Sequence, residues 1–290
     1  MTWHLIAHRS ELAEPGDFVR LPWRADGGEV AIVNQGSAVF AFDNLCPHRG
    51  ARIYSELRGR RDPRCAYHGR LATAHSTARI DIATIGDWFF VSDSRLLAPS
   101  CAPAAIYDLL HSTPPLTLHS LLTFRMACHW TVAVENALDF EHVGHVHGGS
   151  LARLGLAQDG LMMYAGGSSI EVMTAAEPRL DRLRPFFASQ PIAGYTHAHL
   201  FPYSCISSTR GYSYSVQHYL PRADGTTTFI HRLYAAPTVR PVPHYFDAVA
   251  AINERVFRED AEVCALVPAG HCGALGTHER RIAHFRGAQP

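Results

Sequence analysis

The chain has no excess charge of either sign: acidic and basic residues balance at 26 each over 290 residues. A field that collects nucleic acid or coats an anionic membrane needs an excess of one sign. Neither partner is therefore expected, which leaves a small molecule or another protein. Long apolar runs are missing too. No stretch approaches the roughly 18 consecutive apolar residues of a membrane span, and the opening MTWHLIAHRSELAEPGDF holds no apolar segment with a cleavage site behind it. A soluble, cytoplasmic protein is expected. The seven cysteines are odd in number and scattered, unlike the disulfide framework of a small secreted domain. They read as reduced thiols and metal ligands. Internal repeats and low-complexity tracts are absent, which excludes an array of repeated units.

What the chain does have is apolar content of 47%, enough to bury a sizeable core in one large or two ordinary domains. Its character changes once. Up to about residue 95, short alternating runs such as GDFVRL, GEVAIVNQ, SAVFAFD and DWFFVSD are separated by Gly, Asp and Pro, the pattern of an all-β unit. The proline-containing stretch LLAPSCAPAAIYDLLHSTPPLTLHS reads as a connection, so the domains are expected at 1–100 and 101–290. In the second, CHWTVAVENALDFEHVGH repeats apolar residues at helical spacing. GYTHAHLFPYSCISS, GYSYSVQHYLPR and TTTFIHRLYAAP alternate as antiparallel strands do, and HYFDAVAAINERVFREDAEVCAL is helical again. Helices packed on an antiparallel sheet make this half α+β.

Residues 44–70, NLCPHRGARIYSELRGRRDPRCAYHGR, place Cys46 two positions before His48 and Cys65 three before His68, with 16 residues between the halves. Thiolate and imidazole serve zinc and iron–sulfur clusters alike. A zinc finger usually sets its second pair as two His on a helix, whereas here each half supplies one Cys and one His after a β-rich segment. That symmetry suits two irons, one held by both Cys and the other by both His. The boxes C-P-H-R-G-A and C-A-Y-H-G closely resemble those of Rieske proteins. Neutral imidazoles in place of two thiolates raise the potential of such a [2Fe-2S] cluster to about −150 to +300 mV.

A cluster alone would describe an electron-carrier protein, the competing reading. Beyond the connection, however, HWTVAVENALDFEHVGHVHGG crowds Asn136, Asp139, His142, His145 and His147 onto one predicted helix and its exit. The segment resembles the N-x2-D-x2-H-x4-H motif of Rieske non-heme iron oxygenases, matched by Asn136, Asp139, His142 and His147. On a straight helix His145 lies roughly 60° from His142 but His147 roughly 140°. Geometry alone favours His145, while the family spacing, with Gly144, Gly148 and Gly149 to loosen the helix end, selects His147. A facial triad also needs a carboxylate, and RVFREDAEV offers Glu259 and Asp260. The family phrase points to Asp260, with Glu259 as alternative and Asp247 as a more distant one.

The resemblance implies an all-β Rieske domain followed by a helix-grip catalytic domain. It implies a cluster on Cys46, His48, Cys65 and His68, mononuclear Fe(II) on His142, His147 and Asp260, and catalytic roles for Asp139 and Asn136. Electrons from NAD(P)H would come through a separate reductase, with or without a ferredoxin. They would cross between subunits by way of His68, Asp139 and His142. O2 and a small, cyclic organic substrate would then yield a hydroxylated or an N- or O-demethylated product. The chain resembles the compact monooxygenase and demethylase branch, which works as a homotrimer. It departs from the family at Arg70, where Trp is common, and at ATAHSTARIDIA, where a Gly-containing turn is usual. Of the aromatic and histidine residues between Tyr195 and His231, some are expected to line the substrate cavity. The remaining cysteines, Cys101, Cys128, Cys205, Cys264 and Cys272, read as small apolar fillers.

Overall fold

The computed structural model describes residues 3–24, 27–72, 79–92, 110–111, 113–139, 142–151, 162–166, 169–173, 182–188, 195–200 and 202–268. They fall into two compact units. The expected boundary near residue 100 lies outside the described residues, as do Cys101 and Cys272.

The first unit is a seven-stranded antiparallel sheet in the order β1-β7-β6-β4-β3-β2-β5. Its strands are β1 (Trp3–His8), β2 (Asp17–Pro22), β3 (Glu29–Asn34), β4 (Val39–Asp43), β5 (Arg58–Arg60), β6 (Arg79–Ile85) and β7 (Trp88–Ser92). The four runs read as strands are β2, β3, β4 and β7. Three strands were not singled out: β1, β5 and β6, the last inside ATAHSTARIDIA. The interior strand β3 pairs on both sides and is buried along nearly its whole length. A core of Phe18, Val33, Phe40, Phe42, Ile53 and Tyr54 also includes Cys46 and Cys65. Phe18 and Tyr54 stack at 3.7 Å between centroids, an arrangement that contributes about 0.5–1.5 kcal/mol beyond area burial.

The second unit is also a seven-stranded antiparallel sheet, β8-β14-β13-β12-β11-β10-β9. Its strands are β8 (Thr117–Met126), β9 (Met162–Gly166), β10 (Ser169–Met173), β11 (Tyr195–Leu200), β12 (Ser204–Thr209), β13 (Ser213–Pro221) and β14 (Thr227–Ala235). Helices α1 (Trp130–Leu138), α2 (Val143–Val146) and α3 (Tyr245–Cys264) complete it. Strand β8 begins at Thr117, so the end of the stretch read as a connection is already sheet. Along α3 the buried Val256, Phe257 and Cys264 recur at helical spacing. They meet Phe229, Tyr219 and Cys205 of the sheet, together with Val132, Ala133 and Val134 of α1, in one apolar core. Cys128, Cys205 and Cys264 are buried.

The single helix read across residues 128–145 is two pieces. Helix α1 stops at Leu138, because Asp139 turns to extended backbone at φ −94°, ψ 109°. His142 then opens α2 and His147 closes it. The expected one-turn helical relation between Asp139 and His142 is therefore interrupted, and the break precedes His142 instead of following Gly144.

One buried residue joins the first unit's sheet to the Cys46 loop. Asn44 donates to Glu29 Oε2 at 2.9 Å and to the Tyr54 carbonyl at 2.8 Å, and accepts from the Tyr54 N–H at 2.9 Å. Glu29 is balanced in turn by Arg20 at 3.0 Å and Arg52 at 3.1 Å. Asn44→Leu fills the space but leaves a carboxylate oxygen and the Tyr54 peptide unsatisfied, at a cost of about 1–3 kcal/mol for each buried group. The expected outcome is a loss on the order of 2–4 kcal/mol in urea unfolding followed by circular dichroism. A shift below 0.5 kcal/mol would mean that water replaces the amide.

Candidate active site

Two loops of the first unit repeat one backbone design. In the first, the Cys46 N–H donates to the Ala51 carbonyl and the Gly50 N–H to the Cys46 carbonyl; in the second, Cys65 donates to Arg70 and Gly69 to Cys65. Gly50 and Gly69 adopt φ of +69° and +67°, which an L side chain resists. Each loop is closed by an isolated bridge, Leu45 with Arg52 and Arg64 with Leu71. Both thiols are buried while both imidazoles are exposed, and the Nδ1 atoms of His48 and His68 face each other at 3.3 Å. The backbone N–H groups of Tyr67 and His68 and the neighbouring Cys46 hold the Cys65 thiol below its ordinary range, against the opposing effect of burial. Two soft anionic donors beneath two imidazoles fit a cluster with one all-sulfur and one all-nitrogen edge. Arg70, where the family prefers Trp, takes part through its carbonyl.

In the second unit, His142 Nε2, His147 Nε2 and a carboxylate oxygen of Asp260 come together, all within 4.8 Å of one another. Asp260 Oδ1 lies 3.3 Å from His142 and 3.0 Å from His147. This oxygen is buried, yet makes no well-oriented hydrogen bond to either ring. Atoms that crowd together without hydrogen-bond alignment are suited to a shared cation, and two imidazoles with one carboxylate are the donor set of a facial triad. Burial would raise the Asp260 carboxyl, but His142, His147 and the Asn136 side chain together hold it below its usual value. Asn136 thus supports the carboxylate from α1.

Glu259, the alternative carboxylate, has a different place. Its Oε2 meets His147 Nδ1 at 2.8 Å and Ser150 Oγ at 2.8 Å, and its Oε1 accepts from Arg255 Nε at 2.8 Å. Against the opposing effect of burial, the two carboxylates raise the His147 imidazole; with an Nδ1–H engaged by Glu259, loss of the Nε2 proton would free that nitrogen to ligate a cation shared with Asp260. Gly149 provides the room, since a Cβ there would stand 2.6 Å from Arg255 Nη2. His145 is exposed and outside the convergence. Asp247 pairs with His119 at 3.1 Å. Asp139 is half-buried at the break between α1 and α2, and its backbone N–H caps Asn136. Ser150 and Arg255 were not anticipated. The i, i+4 spacing of Arg255 and Glu259 was a usable signal, whereas Ser150 has none.

Comparison with known proteins follows the same division. The profile of the ring hydroxylating alpha subunit (catalytic domain) matches residues 110–285, and that of the Rieske [2Fe-2S] domain matches residues 2–79. The carnitine monooxygenase oxygenase subunit of Escherichia coli K12 is 27% identical over 183 residues, covering 51% of this chain and 46% of its own length. The terephthalate 1,2-dioxygenase terminal oxygenase component subunit alpha 2 of Comamonas sp. is 36% identical over 67 residues, covering 23% and 16%. The matched segments therefore span less than half of these relatives. Among solved structures, a quaternary ammonium Rieske monooxygenase in complex with L-carnitine superposes with a TM-score of 0.75 at 19% identity, over 99% of this chain and 87% of that one. Naphthalene 1,2-dioxygenase from Rhodococcus sp. gives 0.64 at 16%, over 91% and 76%. These likenesses establish the fold. Among the described residues no helix is long and apolar enough to cross a membrane.

The geometry separates the two adjacent acids by experiment. Asp260→Ala should abolish binding of one Fe(II) per chain, with the visible absorption of the cluster unchanged. Glu259→Gln should weaken that Fe(II) by about 10–100-fold, the cost of losing a ligand's orienting partner, read by titration against a chelator. Loss of iron in Glu259→Gln with retention in Asp260→Ala would reverse the two roles. In the same assay His147→Ala should lose the metal and His145→Ala keep it.

Proposed function

Because the chain belongs to the ring-hydroxylating oxygenase alpha-subunit family and carries a Rieske [2Fe-2S] domain, we propose that it is the oxygenase component of a Rieske non-heme iron monooxygenase. The observation that carries this reading is the convergence of His142, His147 and Asp260 in a unit separate from the cluster loops. An electron carrier needs no second metal site. Cys46, His48, Cys65 and His68 would hold the cluster, and His142, His147 and Asp260 would hold Fe(II). When bound, the cluster supplies single electrons and the iron, with positions left open by its three protein ligands, activates O2 beside the substrate.

The protein's own contribution is positioning. Glu259 and Ser150 fix the ring plane and tautomer of His147, and Asn136 steadies the Asp260 carboxylate. Asp260, mostly buried beside the apolar packing of α1 and α3 on the sheet, interacts with charges more strongly than it would in water. His48 and His68, exposed at the tips of their loops, are the parts of the cluster site that another protein surface can reach. Electrons would arrive from NAD(P)H through a separate reductase, with or without a ferredoxin. Asp139, three residues ahead of His142, would link a neighbour's cluster His68 to that ligand. Such a head-to-tail link serves every chain only in a closed ring, here a homotrimer. Insertion of one oxygen atom into a C–H bond gives an alcohol; on an N- or O-methyl carbon, the product collapses to a demethylated compound and formaldehyde.

Purified protein should hold three irons per chain, against two for a carrier, and show substrate-dependent O2 uptake with NADH and a surrogate reductase. Two irons and no uptake across a broad substrate panel would favour the carrier. Cys46→Ser should bleach the protein, since the cluster needs each ligand to persist. Asp139→Asn should keep colour and mononuclear iron but turn over at least about 100-fold more slowly; undiminished turnover, or a fully active monomer, would rule out the Asp139 route.

A further inference from the structure

The sheet register decides which side chains of the second unit turn toward α3. Paired residues of antiparallel strands share a face. Gln217 pairs with His231, Ser215 with Ser207, and Ser207 with His197, while Tyr195 lies two residues before His197. These six therefore share one face. That face is the one under the metal-site helix: the His231 ring packs on Phe257 at 4.7 Å between centroids, and Phe257 precedes Asp260 by three residues. The charge of Asp260 also reaches the Tyr195 phenol, which burial first of all, and Asp260 in addition, pushes up to about 12.

Beside the apolar Cys205, Phe229 and Leu233, which the register puts on the same face, this face carries polar groups without charge. His197, Ser207, Ser215, Gln217 and His231 are each at least nine-tenths buried. They are tied in pairs: Ser215 Oγ with His231 Nε2 at 2.7 Å, Tyr219 OH donating to Gln217 Oε1 at 2.8 Å, and Tyr195 OH with His197 Nδ1 at 3.3 Å. Burial holds the His197 imidazole down at about 4 and that of His231 at about 3, so both are neutral near pH 7. Among the described residues, no Asp, Glu, Lys or Arg of β8 or β11–β14 falls on this face. Arg232 and Arg125 pair with Val216 and Thr228 and belong to the opposite one.

We infer that the substrate met by this face is an uncharged, hydrogen-bonding compound, and that the site discriminates against quaternary ammonium and carboxylate groups. The inference rests on the proposal that substrate is oxidised beside His142, His147 and Asp260. The physical reason is the cost of desolvation. An ion moved from water against neutral hydroxyl, amide and imidazole groups loses its hydration and gains no counter-charge from that face, the nearby Asp260 being assigned to the metal. A neutral amide, lactam or N-heterocycle exchanges its water hydrogen bonds for equivalent ones, because neutral histidine, serine and glutamine offer donors and acceptors together. The site would thus differ from one fitted to carnitine, the ligand of a structural neighbour, although the fold is shared.

Three probes with the same ring isolate charge: benzamide, benzoate and benzyltrimethylammonium, measured by equilibrium dialysis against the iron-loaded full-length protein. Benzamide should bind at least about tenfold more tightly than either ion. Gln217→Glu should move the ratio of benzyltrimethylammonium to benzamide affinity at least about tenfold toward the cation, with retained mononuclear Fe(II) and an unchanged thermal unfolding midpoint showing that the second unit is folded. Equal or tighter binding of either ion to the wild-type protein, or no measurable binding of benzamide, overturns the inference. So does a folded Gln217→Glu protein with the wild-type ranking. Dialysis requires no turnover, which keeps the two readings apart. O2 uptake driven by L-carnitine would sustain the oxygenase and sink the neutral substrate, whereas the expected ranking in an iron-loaded protein that never consumes O2 would remove only the oxygenase.

Discussion

His147 meets adjacent carboxylates of one helix at its two ring nitrogens, hydrogen-bonded to one and in close contact with the other, and the second unit's site depends on that placement. Glu259 takes Nδ1 at 2.8 Å and Asp260 lies 3.0 Å from Nε2. Neighbouring residues on a helix diverge by about 100°, so one side chain can touch both only by entering the angle between them. The fully buried imidazole does so because α2 ends at that residue. With the ring immobilised, its orientation no longer depends on a metal, and His142 needs only to approach the same oxygen. Arg255 and Ser150 in turn keep Glu259 in place. The contact spans 112 positions of sequence and ties the end of α2 to the C-terminal half of α3.

The cluster loops solve a related problem with backbone in place of carboxylates. Four donors must come together without the burial of unpaired polar groups, which is costly. Each loop spends its own N–H and C=O groups on itself, through paired bonds around Cys46 and Cys65 and a left-handed glycine at the turn. The thiols can then sit in the apolar core beside Phe42 and Tyr54. The imidazoles remain at the surface, where an electron donor can approach. The imidazoles of the first unit are exposed, whereas His142, His147 and Asp260 of the second are buried or half-buried, which accords with the different tasks proposed for them.

The metal-facing side of the second sheet shows why fold and substrate class are separate questions. Solved proteins with this fold include one in complex with L-carnitine and a naphthalene 1,2-dioxygenase, so the fold by itself does not name a substrate. Here the face toward α3 combines Cys205, Phe229 and Leu233 with serines, a glutamine and histidines kept neutral through burial, while Arg232 of β14, buried as well, lies on the opposite face.

Much of this was legible in the sequence, and the remainder was not for definite reasons. The proposed cluster residues stood out because Cys46–His48 and Cys65–His68 are local pairs that fall in two loops of one backbone design. The β-rich first half, the antiparallel strands of the second and the long final helix followed from hydrophobic period. The edge strands β1 and β5 did not stand out, since an edge or very short strand carries little alternation. The choice between His145 and His147 could not be made from helical angles, because the helix assumed in that reading is broken at Asp139, where tertiary packing outweighs the local apolar pattern. Glu259 and Asp260 were visible as an acidic pair on a helix. Only the fold assigns them different work, because a helix alone does not say which groove a distant imidazole will enter. Donor types, local spacing and strand period are properties of neighbouring residues, which the chain determined by itself; convergence, ring orientation and the uncharged face are relations between distant ones, and packing decided those.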